Sequence, residues 1–483
     1  DDANINIFIY FYNIFTTFTI KMNSVEFENR IKSHFNYEPT DGQSLLIGKL
    51  AGFLSAGDKN DIFLLKGYAG TGKTSVVGAV VKSLAELEIP VVLAAPTGRA
   101  AKVISLYAAH QAYTIHKLIY RQKEQSMESS FDLGFNRLRN ALFIVDECSM
   151  IPNGGDSVFG SGCLVDDLLQ YVFSGASGCK LLLLGDSAQL PPVMQDESPA
   201  LNADFLRGYG FGVDEFTLTE VVRQESMSGI LANATMLRKA LYEDGTVKFK
   251  TYPDVIKVDG TNFVDCIESS YSEVGEDETL VVTRSNNRAF MYADGIRSRI
   301  LCREELLSNG DMLMIVKNNY SVPKESGVEF LANGDLVRVI HQGRVTEMYG
   351  MQFAEVTLNM VDYDVEIDIL LLRDSLMCKS PAELSELQEK LYNAVSEDYS
   401  HIKNKRERYK QMKEDRFLNA IVARSAYSVT CHKAQGGGWC HVYVDMGRAT
   451  LADLDEPYLR WLYTAVTRAT EKLFLVNFDE SLF

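Results

Sequence analysis

Residues 67 to 74 read Gly-Tyr-Ala-Gly-Thr-Gly-Lys-Thr, the spacing G-x-x-x-x-G-K-[ST] of a phosphate-gripping loop. Glycines at Gly67, Gly70 and Gly72 let the backbone curl until successive N–H groups, those of Ala69 and Thr71 among them, converge on an anion. Lys73 then reaches the β- and γ-phosphates of a nucleoside triphosphate, and Thr74 offers a hydroxyl to Mg²⁺. Farther along, the apolar run Leu142-Phe143-Ile144-Val145 delivers two carboxylates, Asp146 and Glu147. Neighbours on a strand face opposite ways, so the pair can divide its labour. Asp146 would hold Mg²⁺ through its water shell, while Glu147 orients and deprotonates an attacking water. Gln189, in the run GDSAQLPPV that starts at Gly185, offers an amide that reads the γ-phosphate; a tight turn before Pro191 and Pro192 would account for the same residues. Arg223 in LTEVVRQ and Arg468 in YTAVTRA are cations of the type that stabilise charge on a transferring phosphoryl group. Together these residues imply Mg²⁺-dependent hydrolysis of a nucleoside triphosphate.

Such groups must be presented from a rigid edge. Near-continuous apolar runs at 62–65, 91–95, 142–145 and 181–184 alternate with helix-like segments and end on polar residues. That pattern predicts a parallel sheet covered on both faces, with ligands at the carboxyl ends of its strands. A helix over about 75–87 would aim its N-terminal partial charge at the same anion. Upstream, Leu45, Leu46, Leu50, Phe53 and Leu54 keep a helical period that Gly57 closes. Strand-like runs recur at 279–282, 441–444 and 473–476, on either side of a β-rich stretch at 331–372. The fold expected is therefore α/β, with a first domain over 22–225, a second assembled from 226–310 and 415–483, and a β-barrel plus helical insertion at 311–414. Ser380, Pro381 and Glu383 supply an N-cap, a first-turn proline and a capping box for a helix. Beyond it, Lys403, Lys405, Arg406, Arg408, Lys410 and Lys413 cluster. A solvated helix face and a face that tracks phosphates both fit this cluster.

A chain of 483 residues, 46% hydrophobic and 23% charged, can bury several cores. Its net charge of −17 argues against coating nucleic acid through bulk charge, while leaving room for a local basic groove. The eight cysteines form no C-x-x-C pair, and Cys431-His432 with Cys440-His441 lacks zinc-ligand spacing, which points to reduced thiols in a cytoplasmic setting. Residues 1–21 hold an apolar run too short to span a bilayer and preceded by acidic residues, so neither a membrane anchor nor a secretory signal is expected. Upstream sequence before a start at Met22, or an added edge strand, are the two readings of this segment.

Taken in order, the segments resemble the motif series of superfamily 1 helicases, in the 5′-to-3′ branch with RecD-like, Dda-like and Pif-type enzymes. The similarity runs from Pro39 to Thr470. Gln43 in PTDGQ resembles the adenine-reading Q motif, GYAGTGKT motif I, APTGRAAKVI at 95–104 motif Ia, and Tyr113-Thr114-Ile115-His116 motif Ib. DECSM is similar to motif II, GDSAQLPPV to motif III and LTEVVRQ to motif IV; VVTRSNN at 281–287, SVTCHKAQGGGW at 428–439 and YTAVTRA at 463–469 continue the series to motifs V and VI. The resemblance implies two RecA-like parallel-sheet domains flanking one ATP with Mg²⁺, a β-hairpin pin inserted at 117–141, and a small barrel of the Src-homology-3 type. It implies that Gly436 lies beside the nucleotide, and that Pro96, Thr97, His116, Thr283, Thr430, His432 and Gln435 face a single DNA strand. Phe131 and Phe135 would present an aromatic wedge to a tailed duplex, or one or both would pack on the first domain. A monomer working with replication or repair proteins is expected. An RNA helicase of the same superfamily and an ATP-gated clamp that does not unwind remain open beside the DNA helicase.

Overall fold

The computed structural model describes residues 22–55, 61–122, 131–154, 159–174, 178–221, 228–243, 245–323, 328, 330–361 and 365–483. Residues 1–21 and Arg223 lie outside these. The chain divides into two compact units, one reaching Gly245 and the other running from Thr246 to Phe483.

The first unit is built on a six-stranded sheet, all of whose pairings are parallel. Its order is Ala112–Thr114, Val91–Ala95, Leu142–Val145, Lys180–Gly185, Ile62–Gly67 and Val213–Leu218. The central strands bury both faces, which is why they read as unbroken apolar runs; Leu64, Leu65, Ile144 and Leu184 are inaccessible to solvent. The strand Val213–Leu218 escapes that pattern because it is an edge, with half-buried and exposed positions alternating between two buried ends. On one face, the helices Ser24–His34, Asp41–Ser55 and Lys73–Glu86 bring Phe27, Ile31, Leu46, Leu50, Val76 and Val80 against Phe63 and Leu65. Parallel register places Gly67, Pro96, Asp146 and Asp186 together at one edge of the sheet. The helix Gly229–Tyr242 also belongs to this unit, not to the second domain expected from 226 onward. Packing decides the boundary: a Cβ on Gly70 would meet the Leu231 side chain at 2.9 Å, and Arg238 stacks over the Tyr68 ring at 4.4 Å.

Within 117–141 the strands Tyr120–Gln122 and Phe131–Leu133 pair antiparallel. Phe131 is buried, its ring 5.1 Å from that of Phe159. Of the two readings of Phe131, wedge and packed residue, its burial corrects the first and agrees with the second, because a residue remote in sequence covers it. Phe135 stands 68% exposed.

The second unit holds a five-stranded parallel sheet ordered Ser428–Thr430, Thr279–Thr283, Trp439–Asp445, Ala469–Val476 and Val255–Val258. A five-stranded antiparallel sheet follows the order Val365–Leu372, Met351–Met360, Leu336–Met348, Met312–Ile315 and Ala423–Ser425. Its margins meet: the Leu372 N–H donates to the Ile421 carbonyl at 2.9 Å, and the Ile421 N–H to the Leu370 carbonyl at 2.8 Å. Leu313, Ile315, Val337, Val356, Leu358 and Ile421 fill the interior so enclosed. The antiparallel sheet therefore extends past 414, the expected end of the insertion, to Ser425. The helix Pro381–Asp398 starts at Ser380, whose hydroxyl accepts the Glu383 N–H at 3.2 Å. Glu383 returns a carboxylate oxygen to the Lys379 N–H at 2.8 Å, one residue upstream of the expected capping-box partner. The helix Lys405–Lys413 carries the basic cluster apart from Lys403, which precedes it, and Lys410 is exposed.

Candidate nucleotide and nucleic-acid site

The loop after Ile62–Gly67 turns through Gly70 at φ +76° and Gly72 at φ +81°, left-handed conformations that any L side chain resists. Lys73 and Thr74 are thereby the first residues of the helix Lys73–Glu86, whose free N–H groups open onto the loop. The Lys73 ammonium donates to the carbonyls of Gly67 at 2.5 Å and Tyr68 at 3.0 Å. Thr71 is fully buried, with its hydroxyl donating to the Tyr68 carbonyl at 2.8 Å. A cation folded over a cradle of backbone N–H groups, a helix start and a hydroxyl at Thr74 fit a triphosphate with a hard divalent cation.

Gln43 is almost wholly buried beneath this loop. Its amide donates to the Thr71 carbonyl at 3.0 Å and accepts the Thr40 N–H at 3.1 Å. Both bonds brace the loop from below. Glu220, which sequence reasoning passed over, accepts the Gly42 N–H at 3.1 Å and so ties the same helix start to the end of the edge strand.

Asp146 leaves the strand Leu142–Val145 with an oxygen accepting the Glu147 N–H at 2.8 Å. Loss of water around it pushes its carboxyl above the usual range, opposed by that N–H and by the charge of Lys73. Glu147 sits at φ 55°, ψ 39°, a left-handed backbone at the head of the turn Cys148–Met150. A non-glycine residue held there stores strain of about 1 kcal/mol, and such strain collects at functional positions. At the neighbouring strand end, Asp186 and Gln189 are buried, the Asp186 carboxylate accepting the Ala188 N–H at 2.9 Å. Ala69 stands half-buried in the loop itself.

Thr97 caps the helix Gly98–Ala108, its hydroxyl accepting the Ala100 N–H at 3.2 Å, and half-buried Pro96 precedes it. His116 is half-buried, its ring edge-on to Phe159 at 4.9 Å and beside Tyr120 at 5.7 Å. The Tyr120 hydroxyl donates to Asp167 at 2.7 Å, fixing the hairpin base to the helix Leu164–Ser174. Neither Asp167 nor Phe159 carries a sequence signal for this role.

In the second unit, Thr283 is fully buried and its hydroxyl donates to the Ser285 carbonyl at 3.1 Å. It closes the turn into the next helix and does not face a strand, which corrects the expectation. Thr430, its partner across the sheet, is half-buried, His432 is exposed and Gln435 is buried. Gly436 is buried at φ +73°. Arg468 is 4% exposed, and its guanidinium donates to the carbonyls of Thr464 and Gly437, each at 3.0 Å. Motifs V and VI are thus joined through one side chain.

Comparison with known proteins agrees with this arrangement. Residues 51–251 match the family model described as an AAA domain, and residues 425–476 that described as a UvrD-like helicase C-terminal domain. An uncharacterized protein of Acanthamoeba polyphaga mimivirus is 24% identical, over 89% of this chain and 98% of its own length. The ATP-dependent RecD2 DNA helicase of Deinococcus radiodurans is 31% identical over 32% of this chain, a match spanning 18% of that protein. A crystal structure of Pif1 helicase from Bacteroides in complex with ADP-AlF3 and ssDNA aligns over 92% of this chain and 94% of its own at 16% identity and a TM-score of 0.48. Pif1 helicase from Candida albicans aligns over 92% and 96%, at 16% and 0.44. Among the described residues no helix is long and apolar enough to cross a membrane. One matched domain, the AAA domain, carries the phosphate loop, and the other, the UvrD-like helicase C-terminal domain, carries the segments 428–439 and 463–469.

Proposed function

We propose that this chain is an ATP-driven DNA helicase that moves 5′ to 3′ along a single strand and opens tailed duplex. The observation that carries the reading is the loop at 67–74 converging with Asp146 and Glu147 on one sheet edge. Lys73 and the loop N–H groups would hold the β- and γ-phosphates, and Thr74 and Asp146 would hold Mg²⁺, whose charge offsets that of the phosphates. Glu147 accepts the proton of the attacking water. Gln189 senses the terminal phosphate, and Gln43 acts by bracing the loop. Arg223 and Arg468 are proposed to complete charge stabilisation. For Arg468 this requires exchanging a bond to Gly437 or Thr464 for phosphate, which would couple motif V to turnover. Pro96, Thr97, His116, Thr430, His432 and Gln435 are proposed to track the strand, mostly through groups that tolerate any base.

Duplexes with a 5′ or a 3′ single-stranded tail test direction and substrate together. Unwinding of the 5′-tailed duplex, lost in Lys73→Ala, is expected; preference for the 3′ tail refutes the polarity. ATP hydrolysis without strand displacement would support a clamp instead, and stronger stimulation by poly-ribonucleotide an RNA helicase.

A further inference from the structure

Gly67, Gly70 and Gly72 make the nucleotide loop pliant, so a nucleotide finds it preformed only if something outside it fixes its shape. Tyr68 is the hub of the loop: its carbonyl accepts the Thr71 hydroxyl at 2.8 Å and the Lys73 ammonium at 3.0 Å. The second of these bonds cannot last through a turnover. An ammonium that reaches the β- and γ-phosphates leaves the carbonyls of Gly67 and Tyr68 behind, so the loop loses an internal tie as it is loaded. The Tyr68 ring is held from elsewhere. The guanidinium of half-buried Arg238 lies 4.4 Å from its centroid, and Tyr242, one helical turn on, brings a second ring to 6.3 Å. Both stand on the helix Gly229–Tyr242, outside every segment read as a motif. Arg238 also donates to the Thr219 carbonyl at 3.3 Å, and the Tyr242 hydroxyl to the Ser187 carbonyl at 3.0 Å. The chain that follows the strands Ile62–Gly67, Lys180–Gly185 and Val213–Leu218 is thus tied at three points through one helix.

We infer that Arg238 is a positioning residue for ATP: stacked on Tyr68 and bonded to Thr219, it keeps the phosphate loop in its receptive shape when Lys73 turns to the phosphates. It acts through Tyr68 and needs no contact of its own with the nucleotide. The bond to Thr219 fixes the guanidinium over the ring, and the ring fixes the carbonyl on which Thr71 and Lys73 converge. A cation over an aromatic face at a partly exposed site shifts an equilibrium about two- to fivefold. Without it the nucleotide itself must order the loop, and the shift appears as weaker binding. The inference rests on the ATP-binding half of the proposed function and deepens it by naming a residue outside the motifs that sets nucleotide affinity.

Titration of the full chain with fluorescent N-methylanthraniloyl-ADP, beside steady-state ATP hydrolysis in the presence of single-stranded DNA, tests it. Arg238→Met keeps apolar bulk over the ring and removes the charge. It is expected to weaken ADP binding and raise the KM for ATP about two- to fivefold, with kcat changed less than KM. Arg238→Lys restores a cation and is expected to bring both values back towards those of the unsubstituted chain. Tyr68→Leu removes the ring and is expected to match Arg238→Met, and the double variant to bind no more weakly than either single one, because the two residues act as a pair. Equal affinities in the methionine and lysine variants overturn the inference, since packing alone would then account for the contact. Losses that add in the double variant, or a loss confined to kcat, overturn it as well. If Arg238→Met does not fold, Tyr68→Leu carries the measurement, and unchanged ADP binding in that variant overturns the inference. An unsubstituted chain that binds ADP but hydrolyses no ATP would refute the motor reading alone, and one that binds no ADP would refute both.

Discussion

Glu147 couples function to backbone strain, and the two can be separated by choice of substitution. Glu147→Gln removes the proton acceptor but keeps the left-handed backbone at φ 55°. Glu147→Gly removes the acceptor and also the Cβ that makes this conformation unfavourable. Relief of the left-handed penalty is worth about 1 kcal/mol or somewhat more, and the added freedom of glycine in the unfolded chain takes back about half of it. The glycine variant should thus exceed the glutamine variant by about 0.5 kcal/mol, or roughly 1–2 °C in the melting of a domain this size. Both bonds that fix the turn, from the Glu147 N–H to Asp146 and from the Met150 N–H to the Glu147 carbonyl at 3.1 Å, are available to either variant. DNA-stimulated ATP turnover should fall about 10²- to 10⁴-fold in both, the usual worth of a general base. Parallel melting scans and a phosphate-release assay read the two quantities on the same samples. A glycine variant that melts below the glutamine variant would refute the strain argument, and turnover above a tenth of normal in either would refute the role of Glu147.

Three further outcomes are expected. Tyr120→Phe deletes the donor to Asp167, a carboxylate only 1% exposed that keeps the Ser161 N–H, and should cost about 2 kcal/mol, seen as a fall of roughly 4–8 °C in the first unit's melting. Arg303→Gln strips Glu276, Asp311 and Tyr427 of a shared cation while Arg297 stays on Asp311 at 2.7 Å, so chemical denaturation should show a loss on the order of 3 kcal/mol in the second unit. Lys433, pushed down to about 8 by burial and by Arg424, with Cys378 the other titratable group lining the cavity they share, binds fewer protons folded than unfolded between that value and its ordinary 10.5. Stability should therefore rise with pH across that window, and Lys433→Arg should flatten the curve.

The nucleotide loop was legible because its function demands residue types at fixed spacing, and the same demand fixes its local fold. The buried strands were legible because burial on both faces leaves only apolar residues. The edge strand Val213–Leu218 hides in an alternating, half-polar sequence, and Ala112–Thr114 is too short for any pattern. The place of the helix Gly229–Tyr242 depends on Leu231 meeting the loop glycine Gly70, a contact between residues far apart in sequence. Phe131 misled for the same reason, since only Phe159 reveals that it is covered. Thr283 looked like a strand contact, yet a threonine at a strand end serves equally well to close a turn. The meeting of Asn286 with the run 424–433 had no sequence signature, since only the folded chain brings the two segments together.

The strands that open and close the antiparallel sheet, Met312–Ile315 and Ala423–Ser425, lie side by side, with Leu313 opposite Ser425 and Ile315 opposite Ala423. Paired residues of this kind stand about 5 Å apart, so the polypeptide leaves the parallel-sheet unit and re-enters it at nearly one point. The module between them is a graft on a short stem. Replacing 316–422 by a two-residue turn would keep that stem closed, at the cost of uncovering Ala289 and Phe290, which share a cavity wall with Leu376 and Cys378. A single insertion or excision at that stem would gain or lose the whole module, with only the patch around Phe290 left to be resurfaced.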